Sequence, residues 1–195
     1  MSGAKRTSSV SRVTNETRIE LHVNLDGGTI EIATGVDFFD HMLTAFAKHS
    51  GIGLTISAKG DGMDNHHVIE DVGIALGKAI HDALGDKRGV ARFGDAIVPL
   101  DDALILASID LAGRAYTNVQ ITLLRENLGA MPTEMVPEFF RALADNAKLT
   151  VHLQQLHGHV AHHVCEATFK ACARAFGKAI AIVGGDVPST KGVLE

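Results

Sequence analysis

Apolar residues fall on alternate positions early in the chain: Ile19, Leu21, Val23 and Leu25, then Ile30 and Ile32 beyond the turn Asp26-Gly27-Gly28. A period of two puts one face of a strand in the core, so residues 12–33 read as a hairpin. From Asp37 the pattern suits a helix over 37–48, with Asp37 opening it. Leu54, Ile56 and Ala58 then mark a strand, and Gly60-Asp61-Gly62 a loop. A long helix is predicted from about His66 to Leu84, where Gly85 stops it.

The same succession returns. Residues 93–98, 102–110 and 115–123 read as strands. Thr133 can cap a helix reaching about Ala147, whose buried stripe is Met135, Val136, Phe139, Phe140 and Leu143. Leu149, Val151 and Leu153 predict a strand, and His162 to Ile180 a second long helix. A shift of 96 residues takes Asp37 to Thr133, Leu54 to Thr150 and Gly62 to Gly158. It also lays His66-His67-Val68-Ile69-Glu70 on His162-His163-Val164-Cys165-Glu166. Chance supplies one such match, but hardly the same motif at the same point of two similar arrays. The chain therefore reads as an α+β fold of two duplicated β-β-α-β-α halves. The expected layout is a flexible N-terminal segment (1–11), a first half (12–90), a second half (91–183) and a C-terminal tail (184–195).

Composition narrows what those halves can do. Hydrophobic residues make up 46% of the 195, but only 5% are aromatic and none is Trp, so the core must come mainly from Ala, Val, Ile and Leu. A net charge of −5 argues against a general nucleic-acid binder, and no run reaches the length of a membrane span. It leaves room for a small anionic substrate held by a local cluster of Arg and Lys. Residues 1–11 lack the apolar segment of a signal peptide. Cys165 and Cys172 fall on one predicted helix, roughly 10 Å apart along its axis and too far for a disulfide. A reducing, cytoplasmic setting is expected.

Histidine is the outlier, with eleven residues against a single Tyr. In each His-His-x-x-Glu motif the first His and the Glu are four apart and share a helix face. The second His points about 100° away, so one motif can serve two metal ions. A lone His is more often a solvent-facing or hydrogen-bonded residue, but two motifs at matched positions favour metal binding. His152 lies in a strand whose odd positions face the core, so it projects to the other face beside the second motif. His41 follows Asp40 on the first helix. Imidazole and carboxylate donors without thiolate fit Mn²⁺, Fe²⁺ or Zn²⁺, and the spacing does not choose among them. His22, His81, His157 and His159 read as surface or loop residues, while His49 is a candidate substrate contact.

The motifs in order are Arg12-x-Thr14-x-Glu16-Thr17, Phe39-Asp40-His41-Met42-Leu43, His66-His67-x-x-Glu70-Asp71 and Asp110-x-x-Gly113-Arg114. They end with His162-His163-x-x-Glu166-Ala167-x-Phe169-Lys170 and Pro188-Ser189-Thr190-Lys191-Gly192. From Arg12 to Leu194 the sequence resembles the imidazoleglycerol-phosphate dehydratase family. The resemblance implies a duplicated fold like the second domain of ribosomal protein S5, in a closed homo-oligomer of about 24 subunits with sites between subunits. It implies two Mn²⁺ per active site: one on His41, His67, His162 and Glu166, the other on His66, Glu70, His152 and His163. The same residues, other than His152, would surround the substrate with His49, and the metals would bind its ring as imidazolate. Glu16, Glu70 and Glu166 become the candidate catalytic carboxylates, with Glu16 the proton-transfer group. Arg92, Arg114, Lys170, Ser189, Thr190 and Lys191 are implied to contact the substrate, its phosphate above all, with Arg as a bidentate clamp.

The sequence departs from the family at His159, where Asn is usual, at Ala112 and Ala115, where Ser and Pro are usual, and at Asp64-Asn65, commonly two acids. None of these is a proposed ligand. Two other classes use similar residues. A metal-storage scaffold explains the histidines but not the basic groups, and phosphate-dependent substrate binding separates it. A metal-dependent hydrolase would release phosphate where a dehydratase makes a new carbonyl.

Overall fold

The computed structural model describes residues 5–194. Its first half runs β1 (Thr7–Val13), β2 (Thr17–Asn24), β3 (Ile30–Ala33), α1 (Asp37–Ser50), β4 (Gly53–Gly60) and α2 (His66–Leu84). The second runs β5 (Phe93–Leu100), β6 (Ala103–Asp110), β7 (Tyr116–Gln120), a small hairpin of β8 (Asn127–Leu128) and β9 (Met131–Pro132), α3 (Met135–Ala147), β10 (Thr150–His157) and α4 (Ala161–Ala179). Each half forms one four-stranded sheet, ordered β1-β2-β4-β3 and β5-β6-β10-β7. In both, the third strand pairs in parallel with the strand that follows the short helix.

This topology corrects the expected hairpin over 12–33. β3 does not pair with β2, because β4 lies between them. A period of two reports which face is buried and says nothing about the neighbour. A strand, a crossover helix and a parallel strand make a self-contained unit, and β3, α1 and β4 form one. The true hairpin is β1 with β2, from Thr7 opposite Asn24 to Val13 opposite Arg18. Residues 7–11, expected in a flexible segment, are therefore part of the sheet; residues 1–4 lie outside the described ones. β1 escapes a pattern search because it is a polar edge strand, nowhere more than half-buried. The repeating unit is thus β-β-β-α-β-α.

The duplication extends to the register. At an offset of 86 residues, Thr7 opposite Asn24 becomes Phe93 opposite Asp110, and Val13 opposite Arg18 becomes Pro99 opposite Leu104. The offset grows to 96 at His66 and His162 because the second half inserts β8 and β9 before its short helix. That insert also overturns Thr133 as a cap. Its hydroxyl donates to the carbonyls of Arg125 (2.6 Å) and Glu126 (3.1 Å), while α3 opens after Glu134 without a side-chain cap. Asp37 likewise starts α1 without capping it, since Val36 holds the cap position.

One face of each sheet is buried and the helices cover it. α2 packs on β1 and β2, and α4 on β5 and β6; α1 then packs across on α4, and α3 across on α2. Each half's short helix thus lies on the other half's long one, between two sheets. Phe39 of α1, Phe139 and Phe140 of α3 and Phe169 of α4 meet in one aromatic cluster, with ring centroids 4.8–5.4 Å apart. The core is continuous through both halves.

Candidate active site

The two His-His-x-x-Glu motifs open the two long helices, and their geometry repeats. The paired rings are 6.2 Å apart in the first and 6.0 Å in the second, nearly perpendicular in both. In each motif the Glu divides its two oxygens. Glu166 accepts from Lys170 at Oε1 (2.7 Å) and turns Oε2 to His162 Nε2 (3.2 Å) and His41 Nε2 (3.7 Å). Glu70 accepts from Arg141 at Oε1 (3.1 Å) and turns Oε2 to His66 Nε2 (3.9 Å). A cation thus fixes one oxygen and leaves the other facing the imidazole one turn back. Burial pushes the Glu166 carboxyl up, but the hydrogen bond and charge of Lys170, then His41 and His162, more than reverse it and hold it below its ordinary value.

The second His of each pair is backed by an aspartate. His67 Nδ1 lies 3.0 Å from Asp61 Oδ2, and His163 Nδ1 lies 2.6 Å from Asp102 Oδ1. The Asp61 hydrogen bond is the largest influence holding the His67 imidazolium above its ordinary value. Asp102 also accepts from the backbone N–H of His159 (2.8 Å) and Val160 (3.1 Å), which fixes the loop entering α4. At the departure His159 the backbone makes the closer contact with Asp102, and the exposed side chain sets Nδ1 3.5 Å from the same carboxylate. With Nδ1 held, Nε2 of each ring faces outward, to Glu16 Oε1 (4.0 Å) for His67 and to Asp101 Oδ2 (3.4 Å) for His163.

The chain brings some of the expected residues together and not others. His41, His162 and Glu166 converge, as do His66 and Glu70. His67 stands apart with Asp61 and Glu16, and His163 with Asp101 and Asp102. His152 is exposed on the outer face of the second sheet, where it meets Tyr116 (ring centroids 5.4 Å) and Asn118. Among the described residues, no group of three or more His, Cys, Asp or Glu is arranged to hold a metal ion alone. The β8–β9 turn lies between the motifs: Asn65 donates to the Ala130 carbonyl (2.7 Å), and Gly129 abuts Phe38, whose ring is 5.1 Å from that of His162.

The basic residues divide similarly. Arg114 is exposed, with no ion pair among the described residues. Arg92 is engaged: its guanidinium grips Asp110 (2.8 and 3.3 Å) and donates to the Pro188 carbonyl (3.0 Å), tying down the tail that carries Ser189, Thr190 and Lys191. Ser189 Oγ accepts from the Lys191 N–H (3.2 Å). Lys87, buried, donates to the Leu194 carbonyl (3.2 Å). His49 is held below its ordinary value by burial first, then by Lys170 and Arg174. Asp61, Asp102, Arg141 and Lys87 were missed by sequence reasoning. Asp102 and His163, or Arg141 and Glu70, are far apart in the chain, and only Asp61 sat in a marked loop.

Over residues 34–176 the sequence matches the family described as imidazoleglycerol-phosphate dehydratase. This chain belongs to that family. An imidazoleglycerol-phosphate dehydratase of Acidiphilium cryptum is 52% identical over 97% of this chain and 99% of its own. One from Chlorobium chlorochromatii is 48% identical over the whole of both. The crystal structure of the Staphylococcus aureus enzyme superposes with a TM-score of 0.84 at 38% identity, covering 91% of this chain and 99% of its own. That of the Pyrococcus furiosus enzyme gives 0.83 at 38% identity, covering 95% and 100%. As a member of the family the chain is a hydro-lyase. Among the described residues, no helix is long and apolar enough to cross a membrane.

Proposed function

We propose that the chain converts imidazole glycerol phosphate to imidazole acetol phosphate, a dehydration in histidine biosynthesis, at sites completed between copies of the chain and holding two manganese ions each. The observation that carries the metal assignment is the matched wiring of the motifs. Each Glu has one oxygen held by a cation and the other turned to a histidine Nε2, and each second His has Nδ1 held by an aspartate and Nε2 outward. A carboxylate behind Nδ1 is what a metal-ligating imidazole ordinarily has. Imidazole and carboxylate donors without thiolate suit manganese. His41, His67, His162 and Glu166 would hold one ion, and His66, Glu70, His152 and His163 the other. When bound, the ions supply Lewis-acid stabilisation of negative charge on the imidazole ring.

The chain's own residues do the rest. Glu16, exposed beside His67, takes the carbon-bound proton of the glycerol side chain at its carboxylate. The hydroxyl on the neighbouring carbon leaves as hydroxide, which with that proton makes the water lost, and the resulting enol tautomerises to the ketone. Arg114, Ser189, Thr190 and Lys191 bind the phosphate, with Lys170 and His49 bordering the site from α4 and α1. Arg92 contributes by holding the tail in reach. A shared site is supported by the outer face of the second sheet. Strand register puts Ile97, Leu104 and Leu106 on the same face as His152, and an apolar face around a ligand suits coverage by another copy. The assembly would be a closed particle of about 24 subunits. Two free, buried cysteines, their thiols pushed up to about 12 by burial, fit a reducing cytoplasm.

The test is complementation. Glu70→Gln and Glu166→Gln each damage a different motif, so neither variant alone should turn over. Co-expressed in one particle, they should regain activity wherever an intact first motif meets an intact second motif from another copy. Ketone formation in manganese-replete protein reads the result. Mixed particles verified by mass spectrometry that stay inactive would overturn the shared site.

A further inference from the structure

Only Glu16 of the segment Arg12–Thr17 has a chemical task in the proposed reaction, yet its neighbours are the more tightly held. Glu16 sits in the exposed turn between β1 and β2. Thr14 Oγ1 accepts from the backbone N–H of Glu16 (3.2 Å) and of Thr17 (3.0 Å), and the Thr14 N–H donates to the Thr17 carbonyl (2.9 Å). On one side of this turn, Arg12 Nη2 donates to Asp71 Oδ1 (2.6 Å). On the other, the buried Thr17 hydroxyl donates to Asp71 Oδ2. Asp71 is itself buried, next to Glu70 on the helix that begins with His66 and His67. The two oxygens of one carboxylate therefore fasten both flanks of Glu16 to the element that carries the first histidine pair.

We propose that Asp71, acting through Arg12 and Thr17, is a positioning residue that holds the Glu16 carboxylate against His67 for proton transfer. The proposal rests on the role given to Glu16 above. Replacing a buried ion pair by apolar residues is often no less stable, so stability alone is a weak reason for this one. Fixing an exposed glutamate is a better reason, because general-base catalysis depends on holding the base within hydrogen-bond reach of its proton. A short hairpin turn attached only by its strands would let Glu16 sweep a wide arc. Tied to α2 on both sides, it moves with His67 and not independently of it.

A double-mutant cycle tests this. Glu16→Gln should lower kcat by about a hundredfold or more, the usual worth of a general base. Thr17→Val removes one tie and should lower kcat by about ten- to a hundredfold, with KM and metal content unchanged, while Thr17→Ser restores it. In the Glu16→Gln background the same Thr17→Val change should cost almost nothing, because the group it positions is gone. If Thr17→Val melts too low to assay, Arg12→Lys enters the same cycle, since it keeps the charge but shortens the reach. Losses that multiply in both backgrounds would overturn the positioning role and leave Glu16 catalytic. Full activity in Glu16→Gln would instead remove the role of Glu16 itself, and the proposal with it.

Discussion

Each aspartate behind a second histidine fixes a ring whose Nε2 is thereby turned outward, toward the exposed carboxylates of Glu16 and Asp101. At this scale the eleven histidines separate into classes that the sequence does not distinguish. Among the described residues His81 has no partner of this kind, being exposed in the last turn of α2. Glu70→Gln and His152→Ala should each abolish turnover and lower bound manganese, whereas His81→Ala should leave both unchanged; comparable losses in all three would mean the histidines are misassigned. The arginines separate in the same way. Among the described residues Arg114 makes no ion pair, while Arg92 is already committed to Asp110 and Pro188. A hydrogen bond to a charged group contributes about 1.5–3 kcal/mol, so Arg114→Ala should raise KM about ten- to a hundredfold with metal content unchanged. Lys191→Ala should do the same more mildly, because Lys is a flexible point charge. Saturation curves with and without inorganic phosphate check both, and undiminished phosphate inhibition in the two variants would place the anion elsewhere.

For elements, two close contacts decide how the helices sit. Gly77 of α2 faces α3, and a Cβ there would lie 2.5 Å from the Leu143 carbonyl oxygen. Replacing a helical Gly with Ala ordinarily gains up to ~1 kcal/mol. Here the overlap is with backbone, which cannot swing aside, so Gly77→Ala should destabilise by about 1–3 kcal/mol. Denaturant midpoints measure it, and a gain would show that α3 moves freely. The start of α4 depends on Asp102, held well below the ordinary carboxylate range by the N–H of His159 first, then by His163 and the N–H of Val160. Because the folded value is depressed, its stabilisation is complete above the unfolded value of about 3.9 and fades as the pH falls below it. In metal-free protein, Asp102→Asn should therefore lower Tm at neutral pH, and the gap to the parent should narrow in acid. A gap that ignores pH would show that the carboxylate charge does not hold the loop.

For the whole molecule, the crossed packing of α1 on α4 and α3 on α2 makes one core from two repeats, so neither half can be removed without exposing the other's long helix. The same arrangement sends the candidate ligands outward in separate groups, so that in the proposed assembly metal would link copies of the chain. A ligand that binds only the assembled state stabilises it by mass action. Chelation should therefore abolish activity and shift the particle to smaller species on gel filtration, and manganese should restore both. A particle of unchanged size after complete metal removal would show that the sheet faces suffice without it.

The repeated His-His-Val-x-Glu, the helices that carry it and the alternating strands were legible because each is a local pattern: a period of two or of nearly four, and a motif recurring at fixed spacing. Ile19, Leu21 and Val23 face the core as their alternation requires, and Phe139, Phe140 and Leu143 form the buried stripe of α3. Local pattern did not reveal that β4 would enter between β2 and β3, since hydrophobic alternation is satisfied by any neighbour. Nor did it reveal β1, whose polar edge position leaves little alternation to read. The backing of His163 by Asp102, the hold of Arg141 on Glu70 and the tie of Arg12 to Asp71 were decided by the tertiary structure alone. Each joins residues that the chain keeps far apart, and their energy exists only once burial and the crossed helices have brought them within hydrogen-bond range.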